Sequence, residues 1–226
     1  MKRIKFLLLS LLSSGFLYMV SCTTDDIPPI EEDTTDHRYK IPDEAFGEYL
    51  KYLQAKGVTE NVTTDANGNN VYEYYVDTVV SKTQTGALNL SKAATRITTL
   101  QNAGVRTASV KISNIDGLKF FASVNNVTLT SNQVTKIDLK NMTKLDTITL
   151  NNNWIGSLDV TKNTALKYLR YTASSQAAND QKLYTIDLSK NIALRYVDLT
   201  GHPGAPFPIP AVIFNQLTTA NGVKSQ

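Results

Sequence analysis

The chain has 226 residues, a formal net charge of +3 and a single cysteine, so an intrachain disulfide is excluded. Three of its cations, Lys2, Arg3 and Lys5, fall within the first five residues, and the rest of the chain carries 20 basic and 20 acidic side chains. A neutral body does not favour a nucleic-acid partner, because such a partner requires a clustered basic face.

Residues 1–21 are predicted to be an export signal. The cations are followed by the apolar run Phe6–Val20 and then by Cys22, which is the order of a secretory signal. The apolar run is shorter than the roughly 20 residues that cross a bilayer. Met19-Val20-Ser21 before Cys22 resembles a bacterial lipobox, which implies cleavage there and lipidation of Cys22, with palmitate among the acyl chains. The alternative is an ordinary secretory signal with a cysteine beside the cut.

Residues 22–40 are predicted to be a solvated tether, because six acidic residues and two prolines leave little to bury. Acidic residues directly after a lipidated cysteine resemble the export tag of some surface lipoproteins. We therefore expect a lipid anchor in the outer membrane, with the body on the cell surface. A plain polar linker is the alternative.

Residues 41–95 are predicted to form an N-terminal cap. Apolar residues at 46, 50 and 53 have helical spacing, so a helix is expected from Asp43 to a stop at Gly57. Val58–Val80 is rich in tyrosine and is predicted to be a hairpin that turns at Asn67-Gly68.

Residues 96–205 contain an internal repeat with a period of 21. The eight residues from Val127 align with the eight from Ile148, and both fit the pattern L-x-L-x-x-N-x-L of leucine-rich repeats. Further copies follow, the last one delayed by an insertion within 174–182. Ser109–Ser113 fits an earlier strand and Ile97–Leu100 a degenerate first one, which gives five or six coils.

The prediction is therefore an α/β leucine-rich-repeat solenoid, a short horseshoe with a parallel sheet on its concave face. The helical N-terminal cap covers one end, and residues 206–226 cover the other as a C-terminal cap with a short closing helix at 210–217. Asn132 and Asn153 lie where the chain turns off the strands, and we expect their amides to pair with backbone groups. The repeated Asp138, Asp159 and Asp187 are also predicted to be structural.

The order Ile-Pro-Asp-x-x-Phe at Ile41–Phe46, then the coils, then Ile-Asp-Leu-Ser-Lys-Asn-x-x-Leu at Ile186–Leu194 is similar to surface leucine-rich-repeat lipoproteins of anaerobic gut bacteria. These are distant relatives of internalin-type adhesins. The resemblance covers nearly all of residues 41–223 and implies binding or adhesion.

The sequence offers few candidate catalytic or metal-binding residues. His37 lies in the predicted tether and His202 in the last turn, and the coils contain no glutamate. A paired-carboxylate or histidine-based site is therefore not expected. We predict a protein that is not an enzyme and binds no metal or cofactor.

The outward side chains of successive strands should share the concave face. Its C-terminal end carries an aromatic pair and a charged pair, and tyrosine and arginine are enriched in binding hot spots. The predicted ligand-binding residues are Tyr168, Arg170, Thr172, Tyr196, Asp198 and Thr200. The rest of the face is predicted to comprise Ser109, Lys111, Ser113, Asn126, Thr128, Thr130, Thr147, Thr149 and Asn151.

Two structural readings of this end of the sheet stay open at this point. Arg170 and Asp198 could simply neutralise each other, and Trp154 could pack beneath the insertion or stack on a sugar, packing being favoured. We also expect the insertion to overhang the C-terminal edge of the sheet.

The sequence thus predicts a surface-anchored binding or adhesion module that recognises a host or bacterial surface protein. A glycan-binding lipoprotein and a structural component of an outer-membrane complex are the alternatives.

Overall fold

The computed structural model describes residues 36–91, 93–102, 111–203, 207 and 211. The predicted export signal, Cys22, the tether up to residue 35 and nearly all of the predicted C-terminal cap, including its closing helix, lie outside the described residues.

The first described elements are an antiparallel sheet and a helix. Strands β1 (Arg38–Ile41), β2 (Val58–Thr64) and β3 (Asn70–Asp77) pair in the order β1-β3-β2. Helix α1 spans Glu44–Tyr52. A helix and a hairpin are therefore present where the apolar spacing and the Asn67-Gly68 turn predict them, but the helix ends at Tyr52, before the predicted stop at Gly57.

Strand β1 corrects the predicted tether. Residues 38–40 were assigned to a solvated linker, but Tyr39 pairs with Val76 and Ile41 with Tyr74. Ile41 is buried and Tyr39 packs against the core. The correction arises because the pairing partner, β3, lies more than 30 residues further along the chain and leaves no local signal at 38–40.

Asp43 connects the start of helix α1 to Ser113 and Asn114, about 70 residues further along the chain. Its Oδ1 accepts a hydrogen bond of 2.8 Å from Phe46 N and so caps the helix. Its Oδ2 accepts bonds from Ser113 N and Ser113 Oγ, each 2.8 Å, and from Asn114 N at 3.0 Å. One carboxylate therefore holds two distant parts of the chain together.

A five-stranded, all-parallel sheet forms the second part of the fold, which makes the described chain mixed α/β. The strands pair in chain order, and helix α2 (Ala93–Asn102) lies in the crossover between the first two. The strands are β4 (Gly86–Asn89), β5 (Val124–Thr128), β6 (Thr147–Thr149), β7 (Tyr168–Arg170) and β8 (Tyr196–Asp198).

We call the chain from one of these strands to the next a coil. Residues at the same position of successive coils pair directly: Val127 with Ile148, Ile148 with Leu169, and Leu169 with Val197. All four are buried. Because a strand alternates its side chains between two faces, each coil contributes these residues to one shared apolar core.

Two predicted strands at the start of the repeat are wrong. Ile97–Leu100 belongs to helix α2, since its apolar spacing of three fits a helix face. Ser109 lies outside the described residues, and Lys111 to Ser113 is not a strand. Ile112 O accepts a bond from Gln133 N at 2.8 Å, which places Ile112 beyond the strand position. The strand that pairs with β5 on the side away from β6 is β4.

Buried asparagine side chains hold successive coils together just after the strands. Asn153 is fully buried. Its Oδ1 accepts from Val134 N at 3.1 Å, and its Nδ2 donates to Leu129 O at 2.6 Å and to Leu150 O at 2.9 Å. One side chain thus satisfies backbone groups of its own coil and of the previous one.

Asn132 makes the equivalent bonds one coil earlier. Its Oδ1 accepts from Ile112 N at 3.1 Å, and its Nδ2 donates to Leu90 O at 3.3 Å. The predicted structural role of Asn132 and Asn153 is therefore confirmed.

In the last two coils, Tyr171 and His202 replace asparagine as the side chains that pair with buried backbone groups. The Tyr171 hydroxyl accepts from Ile155 N at 2.8 Å and donates to Ile155 O at 2.9 Å, and burial raises its pKa to about 12. His202 takes the asparagine position in the final coil: Nδ1 accepts from Leu183 N at 3.1 Å, and Nε2 lies 2.8 Å from Tyr171 O.

The repeated aspartates form turns on the other side of the coils, in keeping with the structural role predicted for them. Each accepts a hydrogen bond from the backbone N–H two residues later: Asp138 from Lys140 at 3.1 Å, Asp159 from Thr161 at 3.0 Å and Asp187 from Ser189 at 2.8 Å.

The role of His202 predicts a pH dependence of stability. Burial lowers the pKa of His202 below its ordinary value of 6.5, and Lys182 lowers it further, while the bond to the Tyr171 carbonyl raises it. The unfolded chain therefore binds this proton first, and the free energy of unfolding falls as the pH drops below about 6.5. The His202→Asn variant should lose this slope, because an amide makes the same bonds without titrating.

Urea unfolding of the wild type and of His202→Asn between about pH 5 and pH 7 measures the effect. This pH range lies above the ordinary pKa of carboxylates, so they do not contribute to the slope. An unchanged slope in His202→Asn would contradict the assigned role.

Candidate binding surface

The parallel sheet presents a row of polar side chains on the face opposite the core, which we call the open face. The pairs Asn126–Thr147 and Thr128–Thr149 are half-buried along β5 and β6. In β4 the corresponding positions are Ala87 and Asn89, which replace the predicted Ser109, Lys111 and Ser113. The centre of the open face is therefore small and uncharged.

The character of the open face changes at β7 and β8, where the pairing register places Tyr168 beside Tyr196. Tyr168 is 48% exposed. Tyr196 is half-buried, and its hydroxyl lies 3.5 Å from Asp198 Oδ2. The two predicted aromatic residues do come together, but only Tyr168 is an exposed residue.

Arg170 and Asp198 are also neighbours in register, with Arg170 Nε 3.3 Å from Asp198 Oδ2. The Arg170 side chain is 51% exposed and that of Asp198 only 1%. Thr200 adds bonds to Asp198 Oδ1 from Oγ1 at 3.0 Å and from N at 3.3 Å. Asp198 is therefore an internal partner that orients Arg170, and the guanidinium is the exposed part of the pair.

Thr172 ends this group of predicted residues. Its backbone N donates to Asn151 Oδ1 at 3.0 Å, so the side chain of one coil fixes the backbone of the next. The exposed surface at this end of the open face is reduced to Tyr168 and Arg170, supported by residues that hold them in place.

The insertion within 174–182 lies along the previous coil. Gly156 faces the carbonyl of Asp180 so closely that a Cβ there would lie 2.1 Å from the oxygen. Ser174–Gln176 lines a groove of about 240 Å³ together with Trp154. The insertion therefore meets Trp154 at the edge where the chain leaves the strands.

A second concavity lies at the opposite edge of the sheet, and the repeat pattern gave no reason to expect it. This cleft of about 600 Å³ includes Lys144, Asp146 and Lys167. Lys167 Nζ lies 3.8 Å from Asp146 Oδ2, and Lys144 Nζ lies 3.5 Å from Ser123 Oγ. Lys167 and Asp146 therefore pair with each other, and Lys144 contacts a neutral hydroxyl.

Over the described part of the chain, no three His, Cys, Asp or Glu side chains come together as a metal site. Neither described helix is long and apolar enough to cross a membrane.

No protein-family model matches the chain, and no curated protein matches it. Among solved structures, the chain is similar to the functional domain of InlJ from Listeria monocytogenes, which includes a cysteine ladder. The sequences are 22% identical, the match covers 47% of this chain and 26% of that chain, and the TM-score is 0.34. This chain therefore spans about a quarter of the Listeria chain, and the similarity carries no functional conclusion.

The burial of Asp198 predicts that it contributes to stability. The Asp198→Ala variant should lower the free energy of unfolding by about 2 to 3 kcal/mol, because Arg170 and Thr200 lose a buried acceptor. Asp180→Ala is the matched control: Asp180 is exposed and its side chain makes no hydrogen bond within the described residues. Chemical denaturation of both variants measures the difference. Equal stability of the two variants would show that Asp198 is not held as described.

Proposed function

We propose that this protein is a leucine-rich-repeat module, lipid-anchored at the outer face of the bacterial outer membrane, and that it binds another protein through its open face. The repeat assignment is supported by the 21-residue spacing of paired strand positions and by the asparagines that link successive coils. On this proposal the parallel sheet lines the concave side of a short solenoid closed by caps at both ends.

The observation that carries the binding proposal is the pairing of an exposed Tyr168 with an Arg170 that is already held in place. The buried Asp198 carboxylate fixes the Arg170 Nε, and the Arg170 side chain makes no other hydrogen bond, ion pair or ring contact with described residues. Ordering a free arginine on binding costs side-chain entropy, and this arrangement reduces that cost. Tyrosine and arginine are the residue types that dominate binding free energies at protein interfaces.

The threonine-rich centre of the open face supports a protein ligand over a small molecule. A stable protein interface buries roughly 800 Å² on each partner, which requires a surface wider than the Tyr168–Arg170 pair. The half-buried Thr128 and Thr149 extend that surface across two further strands. A glycan held by aromatic stacking alone would not need them.

The anchor proposal depends on Cys22 and the acidic residues after it. Stable membrane attachment needs more than one acyl chain, which a lipidated N-terminal cysteine supplies.

Lipidation predicts that wild-type cells fed labelled palmitate incorporate the label into this protein and that Cys22→Ser abolishes incorporation. The protein should also be digested by protease added to intact cells. Ser21→Cys with Cys22→Ser, which moves the thiol by one position, controls for unspecific acylation. Label retained in Cys22→Ser, or full protection from protease, would contradict the anchor or the surface location respectively.

Binding is tested with the purified full chain against a panel of host and bacterial surface proteins. For any protein that binds, Tyr168→Ala should weaken the dissociation constant at least tenfold, the effect expected of a hot-spot residue. Thr149→Arg, at the centre of the open face, should weaken it as well. Surface plasmon resonance measures both.

Tyr184→Ala is the matched control, because Tyr184 is 53% exposed and lies outside the strands of the sheet. Binding that survives Tyr168→Ala and Thr149→Arg but not Tyr184→Ala would place the interface elsewhere. A partner lost with Tyr168→Ala but kept with Thr149→Arg would favour a small ligand.

A further inference from the structure

The groove between Trp154 and the insertion is separate from the open face. Successive coils each contribute to it, at the edge where the chain leaves the strands. Its lining residues are Lys111, Ser131, Asn132, Asn152, Trp154, Ser174, Ser175 and Gln176. We propose that this groove binds a neutral saccharide, with Trp154 as the stacking surface.

Trp154 is available to a ligand. It is half-buried, and its backbone N donates to Val134 O at 2.9 Å, which fixes the main chain beneath it. Its indole Nε1 donates to no other described residue. An indole on a fixed main chain that retains an unused donor offers both an apolar ring face and a hydrogen bond.

The other lining residues contribute unused hydrogen-bond donors and acceptors. The side-chain amides of Asn152 and Gln176 and the hydroxyl of Ser175 make no hydrogen bond to described residues. An amide donates and accepts, and so does a hydroxyl. This mixture matches the vicinal hydroxyls of a sugar, which also donate and accept.

The charge of the groove argues for an uncharged ligand. Lys111 is the only charged residue among the eight that line it. None of these eight residues has a carboxylate to hold a cation, and a single lysine is a weak basis for recognising a phosphate or a polyanion. An aromatic surface surrounded by neutral amides and hydroxyls instead fits the apolar faces and polar rim of a sugar ring.

The wall of the groove is built by residues that the repeat does not need. Ser174–Gln176 begins the insertion, and insertions in repeat proteins often lie on the binding face. Gln176 N bonds Ser174 Oγ at 3.2 Å, and Ala177 N bonds Ser174 O at 3.2 Å. Ala177 is buried, so the wall is anchored and the groove exists before a ligand arrives.

The size of the groove limits the ligand. Its volume of about 240 Å³ is below the roughly 300 to 1,000 Å³ of pockets that enclose drug-sized molecules. The groove crosses coils that are spaced by roughly 4.8 Å in the sheet, so a short oligosaccharide could run along it with one ring on Trp154.

Trp154 is the only tryptophan of the chain, which makes its fluorescence a direct probe. The purified full chain, in a non-ionic detergent without a sugar headgroup, is titrated with maltotriose, cellotriose, mannotriose, xylotriose and the trimer of N-acetylglucosamine. We expect at least one of them to change the emission with saturation, and calorimetry to give the same dissociation constant. No saturable change with any of the five would overturn the proposal.

Variants then locate the site by calorimetry. Trp154→Ala should weaken saccharide binding at least tenfold and Trp154→Phe less, because Phe keeps a ring but loses the donor. Gln176→Ala, an exposed change that leaves the fold intact, should weaken it several-fold. Tyr168→Ala should bind the saccharide as wild type does.

These variants also separate this proposal from protein binding by the open face. Saccharide binding that survives both Trp154→Ala and Gln176→Ala, or that is lost in Tyr168→Ala, would overturn the assignment to this groove. Loss of a protein partner in Tyr168→Ala, with saccharide binding intact, would leave the groove standing and support the open face independently.

Discussion

The described structure depends on the pairing of backbone groups just beyond the short strands of the parallel sheet. Strands β6 to β8 each have three residues. Beyond them some backbone groups still pair between coils, as from Asn152 N to Thr172 O at 3.0 Å, but buried groups such as Val134 N and Leu150 O pair with a side chain instead. An unpaired buried group costs roughly 1 to 3 kcal/mol. Asn132, Asn153, Tyr171 and His202 satisfy these groups in turn. Three types of side chain, asparagine, tyrosine and histidine, therefore satisfy the same need to pair buried backbone groups. The regular stacking of coils follows from this pairing.

Much of the sheet could be predicted from the sequence because the apolar positions of β5 to β7 recur every 21 residues. The prediction of the first strands was wrong because an alternation of apolar and polar residues fits both a strand and the segment that follows a strand in a coil. Ser109–Ser113 satisfies the strand pattern, yet Ile112 bonds to the Asn132 side chain beyond the strand position. Strand β1 was missed for another reason: its partner β3 is distant in the chain, and pairing over that distance depends on tertiary contacts.

The candidate site was only partly predictable. Register places Tyr168 beside Tyr196 and Arg170 beside Asp198 as the alternation implies. The burial of these side chains could not be predicted, because burial depends on which other residues cover them. The sequence does not reveal that Asp198 is enclosed. The position of the insertion depends on a small residue. Gly156 has no side chain, so the carbonyl of Asp180 can lie against it.

The clamp formed by Asp43 has a consequence for the entropy of the chain. Its bond to Ser113 joins residues 70 positions apart, whereas strands β5 to β7 pair residues that are 21 apart. Closing the longer loop costs about 1 kcal/mol more, on the logarithmic dependence of loop entropy on length. The three hydrogen bonds accepted by Asp43 Oδ2 offset that cost at a single atom. Asp43 therefore attaches the N-terminal elements to the repeat through a contact that chain proximity does little to favour, and bonds such as that from Ser81 Oγ to Phe120 O at 3.2 Å add to this attachment.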